Sequence, residues 1–135
     1  MSRRREEPAR KGRPGIRRRS LSLGRGMTRG EIWTVAGGAA YAGKPRPAVI
    51  IQDDRFDAND SVVVCPITSD PTKAPSFRIP VLPDDQNGLR QRCSLMVDKL
   101  TAVPRVRLGR RVGTLGAGER TLLDRALVVF LGLGG

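Results

Sequence analysis

The chain contains no histidine. That absence removes His general bases, His activators of a nucleophile and every His-containing metal site. It has two cysteines, Cys65 and Cys93, 28 positions apart. Neither a four-cysteine zinc site nor a C-x-x-C redox pair can be built from them. In a chain without a secretory leader they read as buried thiols rather than as a disulfide. No apolar run reaches the roughly 18 residues that a membrane-spanning helix needs. Walker A, G-x-G-x-x-G and G-x-S-x-G patterns are missing as well. Acids are scarce, with 13 Asp and Glu against 25 Lys and Arg over 135 residues, for a net charge of +12.

The positive charge is uneven. Residues 1–26 hold ten Lys and Arg and two Glu, a net +8 of the +12. Their only large apolar residues after Met1 are Ile16, Leu21 and Leu23. Such a segment cannot bury enough surface to offset its ordering entropy, so the composition predicts a disordered basic arm. It lacks the apolar h-region of a signal peptide. Either it attracts RNA phosphates without sequence preference, or it is dispensable, with Met27 as an alternative start. Residues 27–135 form the expected folded domain.

From Met27 the pattern is one of short strands. Glu31–Val35 alternates polar and apolar, as a half-buried strand does. Pro47–Ile51 and Ser61–Thr68 are apolar runs of strand length, and Pro66 inside the second suggests an edge position or a bulge. Phe77–Leu82, Cys93–Val97 and Arg110–Leu115 also read as strands, and residues 83–88 as a turn. Between Glu119 and Leu133 the period changes. Leu122, Ala126, Val129, Phe130 and Leu133 fall at helical spacing, widened by Leu123, Leu127 and Leu131. Five or six strands followed by one helix predict a small α+β domain around a curled sheet or barrel.

Asp53, Asp54, Asp57 and Asp60 cluster, but without the Gly and Glu of an EF-hand loop, and they read as a solvated loop. What chemistry remains is cationic and hydroxylic. One reaction suits that inventory, because RNA carries its own nucleophile, the 2′-OH. A protein that cuts it must orient the 2′-OH, assist proton transfer and stabilise the charge on phosphorus. An Arg fork suits the phosphoryl oxygens. Arg46 opens one strand and Thr68 closes the next. They meet only if those strands run antiparallel, which the sequence leaves open.

Arg29-Gly30-Glu31-Ile32-Trp33, then residues 44–54 (KPRPAVIIQDD), then residues 64–69 (VCPITS) resemble the MazF/PemK toxin family. So do residues 94–100 (SLMVDKL), residues 109–115 (GRRVGTL) and the terminal helix. The resemblance covers about residues 27–133. It implies an SH3-like barrel with a C-terminal helix, forming a homodimer. It implies the toxin of a type II toxin–antitoxin pair, a cytoplasmic endoribonuclease that cuts single-stranded RNA at a short sequence. No cofactor and no metal are implied, and the products end in a 2′,3′-cyclic phosphate and a 5′-OH. Arg46 and Thr68 match the family's catalytic Arg and Thr. Arg29, Gln52, Asp53, Ser69 and Lys99 are the implied RNA-binding residues, Lys99 standing where members often have Gln. Bases would be read by Gln52 and by stacking on Trp33 or Tyr41, although a core role for Trp33 competes. The implied protein partner is an antitoxin with an acidic, disordered tail. Two alternatives remain: an RNA-binding module of the same fold without catalysis, and a gyrase-poisoning toxin of that fold.

Overall fold

The computed structural model describes residues 27–37, 44–71 and 77–134. The basic arm expected over 1–26, and Tyr41, lie outside them. Among the described residues seven strands and one α-helix follow in order: β1 Glu31–Val35, β2 Arg46–Ile50, β3 Ser61–Thr68, β4 Arg78–Val81, β5 Cys93–Met96, β6 Thr101–Pro104, β7 Leu108–Thr114 and α1 Ala117–Phe130. All pairings are antiparallel, in the order β4-β5-β3-β2-β1-β7, with β6 also on β3.

The strands curl because β2 and β3 are apolar on both faces, and each face needs a cover. Successive strand side chains alternate in direction. Ala48, Ile50, Val62 and Val64 face inward, with Val35, Val103 and Leu108, and Trp33 packs on that cluster. Val49, Cys65 and Ile67 face outward, where Ile79, Val81, Leu95, Val97, Leu115 and Leu123 cover them. The inward cluster draws on both ends of the curl, β6 and β7, which the 3₁₀ turn Arg105–Arg107 joins. The expected small barrel is therefore a curled, open sheet of seven strands with its helix against the outer face.

Three expectations change. Pro66 marks neither an edge nor a bulge, because β3 is central and Pro66 is paired opposite Ala48. The Ile51 N–H donates to the Val63 carbonyl at 3.1 Å, so the odd residues of β3 turn their polar atoms towards β2. Pro66 turns its nitrogen to the other edge. There β6 covers Ser61 to Val64, and β5 begins at Ile67. The missing N–H falls in the gap between two partners and leaves no ladder bond unmade. β6 itself is unforeseen: four residues ending in proline carry little local pattern. The helix also presents a different face from the expected stripe. Leu123 is buried with Ala126 and Leu127 beside it, and Phe130 meets Phe77 edge-on at 5.4 Å. Leu122, Val129 and Leu133 are exposed.

The turn at 83–88 is locked from inside. Asn87 is buried, and its Oδ1 accepts from the Asp84 and Leu89 N–H groups while its Nδ2 donates to the Leu82 carbonyl. Gln86 O accepts from the Thr114 N–H at 2.9 Å, which seats the turn on β7 at Gly113. A Cβ at Gly113 would stand 2.4 Å from the Asn87 carbonyl oxygen. Gly113→Ala is therefore expected to destabilise by about 1–3 kcal/mol, as overpacking does. Gly118, on the helix, has nothing within 4 Å of such a Cβ, and Gly118→Ala should stabilise by about 0.4–1 kcal/mol. Paired thermal melts check both signs; a Gly113→Ala melt at or above the parent's would refute the close approach.

Candidate functional site

The pairing of β2 with β3 sets Ala48 opposite Pro66, Val49 opposite Cys65 and Ile50 opposite Val64. Continued two residues, the same register sets Arg46 opposite Thr68. Both share the inward parity of Ala48, Ile50 and Val64, but they lie past the end of the inward core, at its mouth. Arg46 is exposed and Thr68 half-buried. The Arg46 guanidinium has no ion pair among the described residues. Thr68 Oγ1 accepts from the Asp70 N–H at 3.1 Å. That local turn fixes the side chain and leaves the hydroxyl proton free to donate. Thr68 is in turn paired with Ser94 of β5. The Thr68 and Ser94 residues are thus neighbours across β3 and β5, at the end of the sheet where β2 begins with Arg46.

The other sequence-predicted residues divide. Ser69 is exposed directly after Thr68, at the same end. Arg29, Gln52 and Asp53 lie at the opposite end of β2, about 13 Å of strand away from Arg46. They hold that end together. Arg29 donates to the Ile51 carbonyl and to Asp124, each at 2.8 Å. Gln52 donates to the Phe56 carbonyl and accepts from the Val63 N–H. Asp53 accepts from the side chain and N–H of Arg55, whose guanidinium holds the carboxyl below its ordinary range. These three cannot share a phosphate with Arg46. Lys99 is exposed in the turn Val97–Lys99, between β5 and β6. Its neighbour Asp98 pairs with Arg78 at 3.0 Å, and that bond lowers the carboxyl's pKa. Trp33 is a core aromatic: it packs on the inward cluster and donates its indole N–H to Glu31.

Metal and thiol chemistry find little here. Among the described residues no three His, Cys, Asp or Glu are grouped to hold a metal ion. Cys65 and Cys93 are free thiols, both buried. Burial, with the Asp98 charge second, pushes the Cys65 thiol up to about 12, so no useful thiolate exists near neutrality. Sequence reasoning missed Ser94. Its strand was legible, but only the β3–β5 register puts its hydroxyl beside Thr68.

The model of the PemK-like, MazF-like toxins of type II toxin–antitoxin systems matches residues 28–131. Over 109 residues the chain is 53% identical to "Probable endoribonuclease MazF" of Mycolicibacterium smegmatis, covering 81% of this chain and 100% of that protein. It is 32% identical over 116 residues to "Endoribonuclease MazF9" of Mycobacterium tuberculosis, covering 79% and 98%. Among solved structures, the Mycobacterium tuberculosis toxin MazF-mt6 has a TM-score of 0.63 at 26% identity, over 76% of this chain and 96% of that one. A mycobacterial endoribonuclease solved with its cognate antitoxin has a TM-score of 0.63 at 19% identity, over 78% and 92%. At that identity the likeness is one of fold alone.

The buried thiol gives a pH prediction. The ordinary value for Cys65 is 9.0 and the folded value about 12, so the fold prefers the protonated form. A raised folded pKa contributes stability that is whole below the unfolded value and fades as pH rises from about 9 towards 12. Melting temperature should fall across the lower part of that window, and less steeply in Cys65→Ala. At pH 8 iodoacetamide should leave Cys65 unmodified in the folded protein; alkylation at the rate of a free thiol would refute the burial.

Proposed function

The chain belongs to the PemK-like, MazF-like toxin family of type II toxin–antitoxin systems, and from that premise we propose that it is an endoribonuclease whose cutting centre is Arg46 with Thr68. The observation that carries this reading is the register. It brings the start of β2, where Arg46 has no ion pair among the described residues, to the same end of the sheet as Thr68, whose Oγ1 accepts the Asp70 N–H. Single-stranded RNA laid over the mouth supplies the rest. Its 2′-OH gives up its proton to water as the oxygen attacks the adjacent phosphorus, the bond to the 5′-oxygen breaks, the leaving oxygen takes up a proton, and a 2′,3′-cyclic phosphate and a 5′-OH result. The Arg46 fork takes the phosphoryl oxygens, where charge develops. Thr68, its proton turned outward, donates one further hydrogen bond. A guanidinium has five N–H donors and no acceptor, so Arg46 is an electrostatic partner and proton donor rather than a base. No step needs a metal ion, because the nucleophile belongs to the substrate.

The same family reading supplies the setting. The protein works as a homodimer in the cytoplasm, and the exposed Leu122 and Val129 of α1, with Leu133 just after it, offer apolar surface for a second copy. Its antitoxin presents an acidic segment to the basic groove. Ser69 and Lys99 remain RNA contacts; Arg29, Gln52 and Asp53 act by holding the far end of β2.

Two experiments test this. Purified protein should cut a long RNA in excess EDTA, and should fail on a substrate carrying a 2′-deoxy nucleotide 5′ to a mapped cut. Activity that disappears in EDTA and returns with Mg²⁺ would refute the metal-free reaction. In single-turnover cleavage, Thr68→Ala should cost about 10²–10³, the value of one preorganised donor. Arg46→Ala should cost more, since charge-assisted bonds are roughly twice as strong as neutral ones. Arg46→Lys should recover only part of the loss, because a point charge cannot reproduce a fork. Arg46→Ala with a normal melt and a normal rate would remove Arg46 from the centre.

A further inference from the structure

Of the Lys and Arg side chains in the described residues, five are engaged inside the fold. Arg29, Arg55, Arg78 and Arg111 hold Asp124, Asp53, Asp98 and Glu31. Arg105 donates to the carbonyls of Asn59 and Phe56. Arg107 has no such side-chain partner among the described residues, yet its backbone place is tightly determined. Its carbonyl accepts from the Ala36 N–H at 2.9 Å. The next residue, Leu108, pairs with Val35, and Val35 pairs on its other side with Arg46. One transverse row therefore crosses three strands, through Leu108, Val35 and Arg46, and Thr68 pairs with Ser94 beyond the end of the β2–β3 ladder. Arg107 stands at the end of that row, one residue nearer the rim.

Strands lie about 4.8 Å apart, so the Arg107 backbone is roughly 10 Å from that of Arg46. Both side chains are exposed near one end of the sheet, with no carboxylate paired to either among the described residues. Like charges so placed repel, and a chain of anions spaced along a strand of RNA relieves that repulsion at both positions. The Arg107 stem also lies against the backbone of Gly37, whose φ is +82°; a Cβ there would be 3.8 Å from Arg107 Nε. The start of the β1–β2 connection thus packs on this side chain as well as on its carbonyl.

We propose that Arg107 is a second phosphate-binding residue of the groove, holding a phosphodiester that flanks the scissile one at Arg46. The proposal rests on the assignment of the Arg46–Thr68 mouth to RNA cleavage. It adds a contact that sets how far along the strand the protein grips, and it predicts which phosphates matter.

The probe is a short RNA spanning one mapped cut, made uncleavable for binding work by a 2′-deoxy nucleotide at the cut. For the full chain, log Kd against log salt should have a slope smaller by about 0.7 in Arg107→Ala, the value of one phosphate contact on a single strand. Arg107→Lys should keep the parent slope, because the charge remains. With the cleavable RNA, the loss in Arg107→Ala should fall on KM more than on the saturated rate. A neutral methylphosphonate in place of one flanking phosphate should weaken binding by the parent protein and add nothing in Arg107→Ala. Equal salt slopes in the parent and Arg107→Ala overturn the proposal. So does a methylphosphonate effect that is additive with the mutation at both flanks, or a lowered melt with an unchanged slope. Full cleavage by Arg46→Ala is a different result: it refutes the cutting centre and leaves the salt slope of Arg107 to be read separately.

Discussion

The register between β2 and β3 is the constraint on which the rest depends. A slip of one residue turns every side chain of a strand to the opposite face. Here both faces are apolar, so hydrophobic burial alone would tolerate a slip better than it does in a one-sided sheet. The phase is held by polar atoms instead. Pro66 must turn its bare nitrogen to the gap between β5 and β6, because a slip would turn it towards β2 and break that ladder. At the far end, Gln52 accepts from the Val63 N–H and Ile51 donates to the Val63 carbonyl. With those contacts made, the start of β2 at Arg46 and the end of β3 at Thr68 lie at the same end of the sheet.

The same economy explains how the cations are sorted. A strongly basic chain must place like charges without unfolding itself, and carboxylates do that at the end remote from the mouth. Arg29 joins the end of β2 to α1 through Asp124, and the Asp54 carboxylate accepts the Arg29 N–H at 2.7 Å. Arg55 and Asp53 close the turn between β2 and β3. Arg111 and Glu31 tie β7 to β1, with the Trp33 indole on the same carboxylate. Each of these pairs is at least partly exposed and contributes modestly to stability. Their larger effect is on the potential: they offset part of the charge at that end, while Arg46 and Arg107 have no ion pair among the described residues. An incoming polyanion meets positive potential where the hydroxyls of Thr68 and Ser94 stand.

The helix shows how a shared face divides between the fold and a partner. Leu123, Ala126 and Leu127 cover the outer core, and Phe130 meets Phe77. Leu122, Val129 and Leu133 stay in solvent. The apolar surface is wider than contact on one side requires, while Arg120, Thr121, Asp124 and Arg125 make up the remaining, polar face. Local sequence makes the helix; the sheet beneath it chooses which stripe is buried.

Much of the fold was legible locally. Ser61–Thr68 reads as a strand from its β-branched run, α1 from its period, and the turn at 83–88 from its Pro, Asp, Asn and Gly. The lack of histidine alone narrows the chemistry to cations and hydroxyls, and the motif around Arg46 and Thr68 names the pair. Three things were not legible. A four-residue strand ending in Pro104 has too little pattern to announce itself. Arg29, Gln52 and Asp53 look like groove residues in sequence, and only the fold shows them bound into the far end of β2. Ser94 and Arg107 carry no motif that sets them apart from other serines and arginines. Their significance comes from pairings between residues 26 to 73 positions apart in the chain. Periodicity and turn chemistry act over a few residues and are written in the sequence. Register and closure bring distant residues together, and are decided only when the whole sheet forms.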